Sequence, residues 1–282
     1  MPEIIITCAD TPFGKVEKFV SCHPLGNFFQ STLAFKFFES VENYDPFFIL
    51  AQHNQEIVGS LLAVIIKENG RLKGYFSRRC IVWGGPLIKS EYPELYQKIL
   101  EKFNGFLSRR AIYSQFRNFY DLNSFKTCFL SKGWYFEDHL NIIVDLSKTE
   151  EQLWKEVHSK RRNEIRRAKK EGTRFKLLEN KDEIQITYDI LTEVYGRARL
   201  PLPDFCFFEA AFDLLAPKHL TIFLALNENN IIGTMYTLCF KDTMYDWYAG
   251  SYQAFYKKYP NDLIPWEVFL WGKENGFNKF DF

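Results

Sequence analysis

One order of elements runs through this chain twice, and it limits the available folds more than any single motif. Alternation and turn residues mark a short strand at IIIT, then helices over 13–21 and 31–41. A hairpin follows, FFILAQ and EIVGSLLAVIIKE around His53-Asn54, then a strand in GYFSRRCIVWGGPLI, a helix over 92–109 and a strand in AIYSQFRNFY. A short helix over 125–131 and a strand in WYFEDHLNIIVDL complete the first half. The second half reads as a helix over 153–172, the strand RFKLLE, helices over 184–197 and 205–215, a three-strand meander over 221–251, a helix over 263–275 and the strand NKFDF. Strands of mixed direction with helices packed on them predict an α/β (α+β) fold. The polar segment SKTEEQ separates the halves, and Thr149 with Gln152 forms a capping-box pattern within it. The reading is two domains, 1–148 and 149–282. NKFDF has no later partner, so the second domain is expected to lack a C-terminal hairpin, which would leave an apolar edge open.

Composition narrows the function classes. The chain has 282 residues, 46% of them hydrophobic, enough for two real cores. A net charge of +1 argues against a general nucleic-acid or membrane-surface binder, so any such contact must be local. No apolar run reaches the ~18 residues of a membrane span, and MPEIIITCADTPFG lacks the features of a secretory signal. The six cysteines have neither metal nor redox spacing and read as reduced core thiols of a cytoplasmic protein.

Local charge is concentrated in LWKEVHSKRRNEIRRAKKEG. At helical spacing Trp154, Val157, Arg161, Ile165 and Ala168 share one face, with Arg161 at its centre. A buried guanidinium needs a partner, so Arg161 and its neighbour Arg162 point either to an anionic ligand or to an internal salt bridge. His158 falls on the apolar side and is expected to be packed. Arg167 and Lys170 read as solvated. Pattern alone makes Lys36, the one basic residue of the helix over 31–41, a surface lysine.

Few motifs carry chemistry. The five histidines are scattered, and no nucleophile elbow, Walker loop or dinucleotide fingerprint occurs. Gly84-Gly85-Pro86 reads as a strand-end turn. Transfer of an already activated acyl group fits this inventory, because it needs positioning and charge stabilisation more than a protein nucleophile. The meander with Ile231-Ile232-Gly233 resembles the GNAT acyltransferases. Their pyrophosphate-cradling Gln/Arg-x-x-Gly-x-Gly/Ala signature is absent, with Tyr259-Pro260-Asn261-Asp262 in its place, which makes acetyl-CoA an unlikely cofactor.

SKRRNEIRRAKKEG, NIIGTMYTLCF, YDWYAGS and YPNDLIPWEVFLWGKENGFNKFDF together resemble the FemABX-type aminoacyltransferases, and GNFFQSTLAFKFFE is similar to that family's early Gln-plus-aromatic segment. The resemblance implies two tandem GNAT-like domains with a cleft between them, in the compact form without a helical arm. It implies transfer of an amino acid from aminoacyl-tRNA to an amine of a peptidoglycan precursor, a UDP-muropeptide or lipid II, with no cofactor and a peripheral membrane contact as a further option. Lys36 and Arg199 would hold the acceptor's diphosphate, with Arg161, Arg162 and Tyr248 as further substrate-binding residues. The family's transfer lysine has no counterpart up to Phe282, so no catalytic residue is assigned. An acyl-CoA-dependent N-acyltransferase of envelope or polysaccharide synthesis, and a non-catalytic precursor-binding module, are the alternatives.

Overall fold

The computed structural model describes residues 2–8 and 10–282, without the side chain of Arg71. The chain divides into two compact units, residues 1–140 and 141–282. Unit 1 runs β1 (Glu3–Thr7), α1 (Phe13–Cys22), α2 (Thr32–Ser40), β2 (Tyr44–His53), β3 (Glu56–Ile66), α3 (Arg71–Phe76), β4 (Arg79–Trp83), β5 (Leu87–Ile88), α4 (Leu95–Leu107), β6 (Tyr113–Arg117) and α5 (Lys126–Ser131). Unit 2 runs β7 (Ile143–Asp145), α6 (Glu150–Glu156), α7 (Ser159–Lys170), β8 (Thr173–Leu177), α8 (Ile184–Ala198), α9 (Phe205–Leu215), β9 (Leu220–Asn227), β10 (Asn230–Phe240), β11 (Thr243–Ser251), α10 (Pro260–Glu274) and β12 (Lys279–Asp281).

The two sheets share a topology. Unit 1 orders its strands β1-β2-β3-β4-β6, with β5 beside β3, and unit 2 orders them β7-β12-β11-β10-β9-β8. In each, an antiparallel meander ends in one parallel pair, β4 with β6 and β11 with β12, made through a crossover helix. Each unit has its own core. Ile49, Leu61, Val82 and Phe103 lie at the centre of the first, and Phe223, Ile232, Val268 and Phe280 at that of the second. The helix starts behave as the sequence suggests. Ser31 caps α2 by accepting from the Ala34 amide at 3.1 Å, and Thr149 and Gln152 form the reciprocal capping box of α6.

A single buried carboxamide completes unit 1's sheet. On the side away from β2, β3 pairs β4 over Val64–Ile66 and β5 at Gly59 and Ser60, which leaves Leu62 without a strand on that side. Gln30, fully buried, fills that gap. Its Oε1 accepts from the Leu62 amide at 2.8 Å, and its Nε2 donates to the carbonyls of Leu62 at 3.1 Å and Trp83 at 2.8 Å. Gly85 admits this contact, and Gly84 a neighbouring one from Asn27. A Cβ on Gly85 would stand 2.7 Å from Gln30 Nε2, and one on Gly84, whose φ is +59°, 2.5 Å from Asn27 Nδ2. Gly84-Gly85-Pro86 is therefore a strand-end turn packed on protein side chains.

Several expected elements differ. The single helix over 153–172 is two helices, α6 and α7, broken at Val157, which is extended (ψ 127°). His158 is exposed and not packed, because its Nδ1 accepts from the Lys160 amide at 3.3 Å and caps α7. The expected strand WYFEDHLNIIVDL shrinks to Ile143–Asp145. Its alternation instead lets Trp134 and Phe136 pack on unit 1's core while Tyr135 is exposed. GYFSRR contributes to a helix, α3, in which Leu72, Tyr75 and Phe76 have helical spacing. NKFDF does have a second neighbour. β12 pairs β7 antiparallel, a contact made with residues more than a hundred positions earlier. For the same reason the boundary drawn after Lys148 falls inside unit 2. Only Cys80 and Cys239 are buried, whereas Cys8, Cys22 and Cys206 are exposed, and all six thiols are free.

Candidate functional site

The predicted residues are distributed over both units. Lys36 is exposed on α2, with Nζ 5.4 Å from the Phe13 ring. Its neighbours Phe35, Phe37 and Phe38 are buried, so the helix presents this one cation outward. Among the described residues it pairs with no carboxylate.

Arg199, in unit 2, ends α8 in the left-handed conformation, φ 55° and ψ 36°. Its amide donates to Gly196 at 3.2 Å and the Leu200 amide to Tyr195 at 3.0 Å, the termination normally given to glycine. A non-glycine residue there costs about 1 kcal/mol. The exposed guanidinium has no ion pair among the described residues. Arg197, two residues earlier on the helix, is engaged with Glu193 at 3.3 Å and the Tyr256 hydroxyl. Tyr248 on β11 stands in an aromatic wall, its ring centre 5.0 Å from Phe208, 5.2 Å from Trp247 and 5.9 Å from Tyr195.

The basic helix resolves differently from its pattern. Arg161 is not buried. Its side chain is 61% exposed, and the charge it was expected to find is supplied internally, by Asp262 at 2.6 Å and Glu164 at 3.4 Å. It stands in the first turn of α7, where a long side chain carries its head out to water. Arg162 serves the helix break, donating to the last carbonyls of α6, Trp154 at 3.2 Å and Lys155 at 3.1 Å. Arg167 donates to the Tyr259 hydroxyl at 3.2 Å, and Lys169 pairs with Glu267 at 2.7 Å. Thus α7 spends much of its charge holding α10, and Arg161 and Arg162 are structural contacts here.

This arrangement decides what the start of α10 can receive. Pro260 at its first position has no amide hydrogen, and Asp262 places a carboxylate in the first turn. That carboxylate is 8% exposed, with Glu164 beside it. Burial raises the Asp262 carboxyl above its ordinary range, and the Arg161 guanidinium pulls it back. A helix N-terminus of this kind presents carboxylate where a pyrophosphate would need free amides, so these residues do not fit coenzyme A at that position.

One residue escaped the sequence reading. Asp246 on β11 pairs in register with Thr237 of β10, beside a bulge that shifts the ladder between Tyr236 and Thr237. Its Oδ1 is buried with no hydrogen-bond partner, and so is Thr237 Oγ1. Burial pushes the Asp246 carboxyl up to about 6. Tyr195 is raised first by its own burial and then by the charge of Asp246. A carboxyl whose pKa is raised to about 6 is mostly ionised at neutral pH yet basic enough to accept a proton from an amine. The available signal was one acid in the otherwise apolar and aromatic run MYDWYAG. Among the described residues no cluster of His, Cys, Asp or Glu could hold a metal ion, and no helix is long and apolar enough to cross a membrane.

Residues 158–282 match the family model "Acetyltransferase (GNAT) domain". No curated protein gives a significant match to the sequence. Among solved structures, FemX is similar over 99% of this chain and 88% of its own, at TM-score 0.74 and 13% identity. A tandem GNAT protein from the clavulanic acid biosynthesis pathway is similar over 100% and 89%, at TM-score 0.61 and 8% identity. L-PGS from Bacillus licheniformis is similar over 96% and 75%, at TM-score 0.56 and 17% identity. Residues 158–282 are therefore matched to a GNAT acetyltransferase domain, and the chain as a whole shares its fold with FemX.

Proposed function

We propose that this protein is a Fem-like aminoacyltransferase, acting in the cytoplasm to move an amino acid from aminoacyl-tRNA to an amine of a peptidoglycan precursor. The observation that carries this reading is Asp246, a carboxyl on a central strand of unit 2 with Oδ1 buried and without a hydrogen-bond partner, and with its pKa raised to about 6 by burial. The amine nitrogen bonds to the ester carbonyl carbon, the carbon–oxygen bond to the tRNA ribose breaks, and the amine's surplus proton passes to Asp246 and from it to the departing ribose oxygen, which leaves as a hydroxyl. An ester activated by tRNA needs no coenzyme A, which accords with the carboxylate-filled start of α10. The family resemblance assigns Lys36 and Arg199 to the acceptor's diphosphate, and their unpaired exposed cations support that role.

Arg199→Gly separates binding from folding. Glycine suits the left-handed backbone, so the variant should gain up to about 1 kcal/mol of stability. Affinity for a UDP-muropeptide should nonetheless fall, by about tenfold or more, as a charge-assisted contact is lost. Lys36→Ala should weaken the same affinity without changing the melting temperature. Calorimetric titration of both variants checks this, and unchanged affinity in both removes the diphosphate assignment. The family model's acetyltransferase name supports a second reading, an acyl-CoA-dependent N-acyltransferase. A clear rise in melting temperature with acetyl-CoA would promote it.

A further inference from the structure

Besides the basic helix, one end of unit 1 carries a group of positive charges without acidic partners. Lys73, Arg78, Arg79, Arg109 and Arg110 pair with no carboxylate among the described residues. They surround an exposed apolar group. Leu72, Tyr75 and Phe76 form the outward face of α3 and are 76%, 59% and 71% exposed, and Ile112 and Tyr113 beside them are 60% and 55% exposed.

The patch is continuous. The Arg78 guanidinium lies 4.4 Å from the centre of the Tyr75 ring, and the Ile112 amide donates to the Arg78 carbonyl at 2.8 Å. Arg79 pairs in register with Tyr113. A cavity of about 620 Å³ opens between α3 and the end of α4, and both Arg78 and Arg110 line it. Two acids also line it, Asp45, paired with Lys67 at 3.5 Å, and Glu68.

We infer that this end of unit 1 docks on an anionic lipid surface, with Leu72 and Phe76 entering the acyl boundary and the surrounding Lys and Arg side chains meeting headgroup phosphates. Water is a poor neighbour for three large apolar side chains on one helical face, and more than half of each remains exposed, with the Arg78 guanidinium over the Tyr75 ring. Basic residues attract an anionic leaflet, and tyrosines suit its interface. Tyr75, Phe76 and Tyr113 could meet either a base or an interface, but Leu72 and Ile112 offer no ring for base stacking, and this aliphatic share of the patch favours a bilayer over RNA as the occupant. The inference is independent of which acyl group is transferred.

The test is co-sedimentation of the full chain with vesicles of phosphatidylcholine, with and without phosphatidylglycerol. The wild type should bind only the anionic vesicles. Lys73→Ala with Arg109→Ala should weaken partitioning by about thirtyfold. Leu72→Ser with Phe76→Ser should weaken it by about tenfold or more. Lys160→Ala with Lys170→Ala, on α7, should leave it unchanged. Circular dichroism melts would confirm that each variant is folded. No binding to anionic vesicles, or equal binding by all variants, overturns the inference. So does a charge variant that loses tRNA binding but keeps vesicle binding.

Discussion

Replacing Asp246 by asparagine should make the protein more stable and far less active. The unfolded chain releases this proton near pH 3.8 and the folded chain near pH 6. Between those values the folded state holds the extra proton, so the group's contribution to stability falls as pH rises. Above about pH 6 the penalty is fully present and amounts to about 2–3 kcal/mol. Asp246→Asn removes it, so the variant should be stabilised by about 1–3 kcal/mol at pH 7.5 and hardly at all at pH 4. If Asp246 takes the proton of the attacking amine, transfer should fall by about 10²–10⁴-fold. The wild-type rate should rise through an apparent pKa near 6, and the residual rate of the variant should not. Melting curves at the two pH values and a pH–rate profile check both halves. A variant with wild-type transfer would remove Asp246 as the base. A destabilised variant would mean that the carboxylate has a favourable partner.

The second large effect concerns Gln30 and unit 1. Gln30→Met keeps the length of the side chain and removes its hydrogen bonding. The amide and carbonyl of Leu62 and the carbonyl of Trp83 then lose their Gln30 partner in a dry environment. At about 1–3 kcal/mol for each orphaned group, partly relieved by relaxation, the loss should be about 3–5 kcal/mol. Urea unfolding monitored on unit 1's aromatic residues gives the stability, and hydrogen exchange at the Leu62 amide localises the effect. Faster exchange at Leu62 is expected, well beyond that of β2. A loss below about 1 kcal/mol would show that the carboxamide does not act as a substitute strand.

Local signals and long-range ones separate cleanly in this chain. The Ser31 and Thr149 caps, the hairpin at His53-Asn54 and the repeated order of elements all depend on neighbours within a few residues, so the sequence displays them. The pairing of β12 with β7 and of Arg161 with Asp262 joins residues far apart, and periodicity carries no record of such partners. Arg161 illustrates the limit. Its placement on the apolar face of a helix argued for burial, but position in the first turn and a carboxylate on α10 decided the outcome. Asp246 illustrates the converse, because a carboxyl in a strand becomes unusual only once burial strips its partners. The exposed face of α3 is not legible in GYFSRR taken as a strand, because alternation sends Tyr75 and Phe76 to opposite faces, whereas the helix collects them with Leu72.

The central claim is that the donor is aminoacyl-tRNA and the acceptor a peptidoglycan precursor amine. The direct measurement is a transfer assay with the full gene product, labelled aminoacyl-tRNA mixtures and UDP-muropeptide or lipid II. Label should move to the precursor, the reaction should be abolished by ribonuclease treatment of the donor, and acetyl-CoA should neither support nor inhibit it. Acyl transfer that depends on acetyl-CoA, with none from aminoacyl-tRNA, would contradict the account.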